Sequence, residues 1–501
     1  MSDVHAIQDT QSPDGCCRIA SASQGRCILT VIRPTSHLVT IDRVDRLFRT
    51  ARDGQTFTLR IAFVMVWSFL LFTSARMWSG MMPPEAVNAI DVLALAPLLV
   101  LIALRPVWGI IVIGALFPVA GILPSVGFTT SVYPLLGAAT LLGSLRMMII
   151  ERFPSPHVTS LDVLALLLVV WIVVSHPLAA TSIGNRVWVW TYLQLLLLMF
   201  LTTQLLVRGS DHHALMLMFV IGGVVSAYVA LHQVQYGLSS ATSLRGRGLA
   251  ASANDADRSF VFAIVFIAFL RHVYKKRWMQ TAAIAAIVLL LAGLAATVSR
   301  TSVLLLLIAL ILLIIEGTTM LRERIVEFGI ALAAAALLLI PPGYWRITSG
   351  ILTSILQGHD WVGFRYMQWD AGLAMWADHP LHGVGIGQFE NNSVYYGTNF
   401  IPFYGLRWSA HNTYVTLLAE TGIIGFVLFL AVLVGALRGL WKGWMSQTAA
   451  ASVSLRYTWA TVLMVMLIGG ITGDDHVHKL IWLIAGMGAA NLRPIIGRRT
   501  G

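Results

Sequence analysis

Ser409-Ala-His411-Asn412-Thr413-Tyr-Val-Thr416-Leu-Leu-Ala-Glu420-Thr-Gly422-Ile-Ile-Gly425-Phe-Val-Leu-Phe-Leu430 is the stretch on which the fold turns. A histidine and an asparagine close a long polar segment, and an apolar run then continues to residue 437. Crossing the hydrocarbon core of a bilayer takes about 20 apolar residues. Residues 413–437 therefore read as a membrane helix entered from water at His411. Similar apolar runs lie near 58–77, 86–104, 107–127, 132–150, 159–179, 187–207, 213–232, 258–275, 280–298, 301–316, 325–343, 456–473 and 478–492. The expected fold class is an all-α polytopic membrane protein of about 12–14 transmembrane helices with one large external loop. Composition agrees: 57% of the 501 residues are hydrophobic and 11% charged, with a mean hydropathy of +0.77. Charged residues make up about 25% of ordinary soluble domains. A soluble enzyme, a disordered chain and a nucleic-acid-binding domain are thereby excluded, despite the net charge of +11.

The expected organisation is a cytoplasmic tail over 1–57, a helix bundle over 58–343, an external loop over 344–412, further helices over 413–492 and a tail over 493–501. The first 57 residues contain no long apolar core and do not read as a secretory signal. Cys16, Cys17 and Cys27 all fall in that tail, so no disulfide framework is expected elsewhere. With the N-terminus in the cytoplasm, Arg105, Arg146, Arg152, Arg208, Arg271, Lys275, Lys276, Arg277, Arg438 and Lys442 fall on inner loops, as the positive-inside bias requires. The exceptions are Arg186, Arg245, Arg247, Arg300, Arg346, Arg365 and Arg407, which fall on the outer side. Arg300 sits between two apolar runs with almost no loop. Each alone fits a snorkelling or salt-bridged arginine. As a set on one face they point to an anion site, because a guanidinium binds phosphate oxygens in pairs.

The loop 344–412 carries Trp361, Tyr366, Trp369, Trp376, Phe389, Tyr395 and Trp408 among other aromatics. These suit either sugar rings or an interfacial belt. Residues 364–378 read as an amphipathic helix stopped by Pro380, and 383–387 as a tight glycine turn. Thr413, Thr416 and Glu420 share one face of the next helix and are expected to point into the bundle. Gly422 and Gly425 are expected to let another helix approach. His411 suits a general base, since imidazole titrates near neutrality; equally it fits a surface histidine, with Asn412 as a helix cap. His379, His382, Asp474, Asp475, His476 and His478 read as solvated turns rather than metal ligands.

The string His411-Asn412, nine residues, Gly422, two residues, Gly425 resembles the histidine signature of the bacterial O-antigen ligase/polymerase superfamily. Ser299-Arg300 resembles the family's Ser-Arg before a long apolar helix. Arg245-Gly-Arg247-Gly248 with Asn254 resembles its Arg-x-x-Gly…Asn segment, although Ala253 replaces a usual proline. Arg365 with His379-Pro380-Leu-His-Gly383-Val-Gly385-Ile-Gly387-Gln-Phe389 resembles its lead-in to the histidine. The resemblance covers roughly residues 240–490.

This resemblance implies a fold like the membrane-embedded glycosyltransferases and an active site on the periplasmic face of the bacterial inner membrane. It implies transfer of glycan from an undecaprenyl-diphosphate carrier to an acceptor hydroxyl, without metal or cofactor. His411 and Arg300 would be catalytic. Arg245, Arg247, Arg365, Asn412 and Glu420 would bind the diphosphate or glycan. The partners implied are the lipid-linked glycan, an acceptor glycan or lipid A-core, the bilayer and other polysaccharide-assembly proteins. Polymerisation of exopolysaccharide or O-antigen repeats is favoured by the run around His411. Ligation to lipid A-core and protein O-oligosaccharyl transfer are the alternatives within the family. A lipid-linked glycan transporter would show repeat symmetry, which the chain lacks.

Overall fold

The computed structural model describes residues 95–122, 132–150, 156–175, 185–236, 245–315, 361–396, 409–445, 450–492 and 494–496. The expected tail over 1–57, the spans near 58–77 and 325–343, and Arg346 and Arg407 lie outside these residues, as do the side chains of Arg186 and Arg300.

The protein is an all-α polytopic membrane protein. Its first described helices are α1 (Leu95–Leu104) and α2 (Val107–Ala115). A 3-10 segment, Phe117–Ile122, follows α2. Here the expected single span over 107–127 is corrected, because Pro118 has no amide to continue the α ladder and Val119 leaves helical geometry. Next come α3 (Tyr133–Ile150), α4 (Ser160–Ser175), α5 (Asn185–Leu205) and α6 (Gly209–Gln235). They are followed by α7 (Ala253–Val273), α8 (Arg277–Ala296) and α9 (Arg300–Ile315). The loop region supplies α10 (Trp361–Asp378) and α11 (Phe389–Tyr396). The chain then forms α12 (Thr413–Met445), α13 (Ala450–Gly469) and α14 (Lys479–Ala490). Five of the described helices are long and apolar enough to cross a membrane, and several shorter apolar helices accompany them. Helix α10 ends at Asp378, just before His379-Pro380, as the sequence predicts.

Two helices form the centre. Every residue of α14 from 480 to 489 is buried, and α14 packs between α5 and α12. Helix α7 is buried around most of its circumference and packs on α6, α8 and α9. A helix apolar on all sides belongs inside a bundle. The backbones approach closely at glycines: a Cβ on Gly486 would meet Met199 and Thr202, and one on Gly488 would meet Ala436.

Same-side loops find one another. At one end of the bundle the Arg146 guanidinium donates to Leu104 O at 2.8 Å, and the Gln204 amide donates to His157 O at 2.7 Å. At that end too Val158–Thr159 pairs antiparallel with Pro494–Ile496. At the other end Gly121 N donates to Leu249 O at 2.9 Å, and Thr413 N donates to Gly473 O at 2.8 Å. Each contact joins segments that the alternation of charged loops assigns to one face.

Helix α12 is broken at Gly422, whose φ is +65° and ψ −172°. The break exposes backbone groups inside an apolar bundle, and each of the flanking groups has a partner. Val384 N donates to Ala419 O at 2.9 Å, and Gly385 N to Glu420 O at 3.0 Å. The Trp171 indole donates to Thr421 O at 2.9 Å. Ile423 N donates to Pro380 O at 2.9 Å. The expectation for Gly422 is therefore corrected: what comes close is the backbone of the 380–385 loop, not a second helix. A Cβ on Gly422 would overlap Leu381, and one on Gly383 (φ +70°) would overlap Glu420. Gly425 does face a helix, α4, through Trp171.

Gly422→Ala should destabilise the protein by about 2 kcal/mol or more, combining left-handed strain with the backbone overlap. Gly137→Ala, where an added methyl meets nothing within 4 Å in a regular helix, should be neutral or stabilising. Thermal unfolding of both variants in detergent checks the contrast.

Candidate active site

Residues 409–412 lead into α12, and His411 adopts a left-handed backbone, φ +47°. A non-glycine residue held there carries local strain, a frequent mark of functional positions. The Ser409 hydroxyl lies 3.3 Å from His411 Nδ1. Asn412 caps the helix: its Oδ1 accepts from Tyr414 N at 3.0 Å and Val415 N at 3.2 Å. Thr413, Thr416 and Glu420 are all buried, as their shared face predicts.

Thr413 and Thr416 bind the turn between α13 and α14. The Thr413 hydroxyl donates to Gly473 O at 2.7 Å and accepts from Asp475 N at 2.7 Å. The Thr416 hydroxyl donates to Asp474 Oδ1 at 2.7 Å. The polar turn 474–478 is thus fixed beside His411. Glu420 lies deeper. Its carboxylate accepts from Phe389 N at 2.9 Å and so pins the start of α11. Phe389 itself belongs to a buried apolar cluster with Ala371, Met375 and Ala419, so it offers no face to a sugar. Tyr366 and Tyr395 are exposed and do.

A cavity of about 420 Å³ opens at this end of the bundle. Its wall includes His411, Asn254, Arg258, Asp474, Asp475 and Lys479. Arg258 forms a buried ion pair with Asp475 and also donates to Gly469 O at 3.3 Å. Of its five N–H groups these bonds use two, so the guanidinium can still serve an anion in the cavity. Gly473 has no side chain where one would strike the Arg258 guanidinium.

Arg245 donates to Thr297 O at 2.7 Å and to Asn254 Oδ1 at 2.8 Å. The two ends of the Arg-x-x-Gly…Asn segment are therefore in contact. Gly248 supplies the turn with φ +58°, and the Gln233 side chain accepts from both Arg247 N and Gly248 N at 3.0 Å. Arg247 is exposed and outside the cavity wall. Arg365, on α10, approaches Thr472 O at 3.5 Å. Helix α9 opens at Arg300, three residues after the Thr297 carbonyl that holds Arg245.

Burial holds the His411 imidazole below its usual range; Asp474 and Glu390 oppose this, while Arg365 and Arg258 reinforce it. His411 is therefore neutral at pH 7 and able to accept a proton. Burial lifts the Asp475 carboxyl to about 6, with the Arg258 charge pulling it back. Burial and the neighbouring charges of Arg245 and Arg258 lower Arg365. Arg365 and Arg258 thus stand within electrostatic reach of His411, and Arg245 within reach of Arg365. Among the described residues no group of three His, Cys, Asp or Glu side chains is placed to hold a metal.

Arg245 bonds Asn254, which lines the same cavity as His411, while Arg245 and Arg365 themselves stand outside that wall. Arg258 and Lys479 were not anticipated. Each stands at or near the start of an apolar run, as Arg300 does.

The bundle thus carries, at one end, a cavity lined by a neutral histidine and two cations. The family model described as O-Antigen ligase matches residues 285–430, from within α8 to within α12. That match supports the O-antigen ligase/polymerase superfamily and glycan transfer of the ligase or polymerase type. No curated protein matches the chain.

Activity of the purified protein, followed from about pH 5 to 8, should fall as pH drops through about 6, where Asp475 takes up a proton and its charge pairing with Arg258 is lost. Asp475→Asn lacks that charge at every pH, so its activity should stay at the low acid level across the range with no step near 6. An unmoved limb would show that Asp475 does not govern the profile.

Proposed function

We propose that the protein transfers glycan from an undecaprenyl-diphosphate carrier to an acceptor sugar hydroxyl on the periplasmic face of the inner membrane, polymerising exopolysaccharide or O-antigen repeat units. The observation that carries this reading is Arg258 and neutral His411 on one cavity wall, with Arg365 acting on His411 and Arg245 acting on Arg365. The diphosphate is already a good leaving group, so the main demand on the protein is stabilisation of its charge. Arg245 and Arg365, with Arg300 and Arg258, supply it; no step of this scheme calls on a metal.

The acceptor hydroxyl attacks the anomeric carbon, the bond from that carbon to the diphosphate oxygen breaks, and His411 takes the hydroxyl proton. Attack opposite the leaving group inverts the anomeric centre. With Ser409 beside Nδ1, Nε2 is the nitrogen left for the acceptor. Asn412 and Glu420 act on the glycan through position: Asn412 sets the start of α12, and Glu420 holds the loop that carries α11. Arg247, exposed at the rim, meets the lipid-linked substrate on approach. Ligation of finished chains to lipid A-core is the second reading, favoured by the description of the matching family.

His411→Ala and Arg365→Ala, introduced separately in the host, should each abolish long surface glycan. Single repeat units remaining on the carrier or core support polymerisation; long chains accumulating unattached to lipid A support ligation. Normal glycans from both variants would overturn the site.

A further inference from the structure

Lys479 opens α14, and its ammonium lies 4.1 Å from the centre of the Tyr133 ring. Both residues line the cavity. Among the described residues no carboxylate forms an ion pair with Lys479. The cavity therefore holds a largely buried cation that, among the described residues, faces an aromatic ring rather than a carboxylate partner. Taking an ammonium out of water without a counter-charge is costly, and such a group in a membrane protein marks a place where charge is received.

The charges around the cavity fall into a sequence. Arg365 and Arg258 act on His411, and Arg245 and Arg258 act on Arg365. Lys479 acts instead on His478, which also feels Arg258. Arg258 thus acts on both histidines, Arg365 on His411 and Lys479 on His478. The arginines around His411 already provide for a diphosphate, which leaves the Lys479 charge for a second anion. The wall also includes Ile113, Gly114, Phe117, Ser252 and Asp255. The Ser252 hydroxyl donates to Asp255 at 2.7 Å, so this pair offers hydrogen-bonding groups to sugar hydroxyls, while the apolar residues suit the C–H face of a ring. Asp255 excludes a dense negative charge but tolerates a single carboxylate turned towards Lys479. A compact ammonium suits such a carboxylate better than a forked phosphate contact.

We propose that the Tyr133–Lys479 end of the cavity is a subsite for a carboxylate-bearing sugar of the glycan, separate from the diphosphate position. This inference rests on the glycan-transfer reading above and narrows its substrate to acidic glycans.

The test uses the full chain in detergent, with sodium glucuronate, glucose and inorganic pyrophosphate as probes and binding followed by calorimetry. Wild type should bind glucuronate in preference to glucose, and should still do so with pyrophosphate at saturation. Lys479→Gln should weaken glucuronate by about tenfold, the effect of removing a charged hydrogen-bond partner. Lys479→Arg should restore most of the binding. Pyrophosphate affinity should be unchanged in Lys479→Gln and reduced in Arg365→Gln. Equal binding of glucuronate and glucose, competition between glucuronate and pyrophosphate, or loss of pyrophosphate affinity in Lys479→Gln would each overturn the subsite. The competition experiment needs only wild type, so it decides the matter even where Lys479→Gln does not fold. Pyrophosphate binding indifferent to Arg365 would instead undermine the glycan-transfer reading, whatever Lys479 does.

Discussion

Backbone amides and carbonyls inside a bilayer have no water to turn to, and every one must find a partner in the protein. The break in α12 at Gly422 makes that constraint visible. Once the helix is interrupted, the carbonyls of residues 419–421 and the amide of Ile423 need partners from elsewhere, and the 380–385 loop and Trp171 provide them. The loop is thereby bound to the bundle along its backbone. Glu420 adds a side-chain bond to Phe389. The position of α10 and α11 over the site follows from satisfying one broken helix.

The polar residues at the site divide by what they hold. Thr413 and Thr416 hold the 473–475 turn. Asp475 holds Arg258, and Asn254 holds Arg245. What faces the cavity is the Arg258 guanidinium with unused N–H groups, the Lys479 ammonium and a histidine kept neutral by burial. In a low-dielectric setting that arrangement is costly while empty and favourable to an anion.

Much of this was legible in the chain. The apolar runs place the helices to within a few residues from Tyr133 onward, and Pro380 marks the end of α10. The face shared by Thr413, Thr416 and Glu420 is buried as its spacing requires. Gly422 shows where legibility stops: a glycine in an apolar run looks the same whether a helix packs on it or the chain breaks there, because the difference lies in a loop forty residues earlier in the chain. Arg258 and Lys479 were passed over for a related reason. Each begins a run read by its apolar majority, and the buried partner Asp475 that gives Arg258 its place is more than two hundred residues away. The three-residue register of Asn412 over α12 was readable as a cap; its neighbour's left-handed backbone was not, since only the packed turn imposes it.

The turn between α13 and α14 ties together segments that lie far apart in the chain. Gly473, Asp474, Asp475 and Lys479 belong to the cavity wall, and they follow Arg258 by more than two hundred residues. Before α14 packs between α5 and α12, Arg258 lacks Asp475 and Thr413 lacks the carbonyl of Gly473. A chain with α7 and α12 in the bilayer but not α14 therefore has no complete cavity wall. The cavity is a late product of assembly, formed only when this hairpin joins helices already in place.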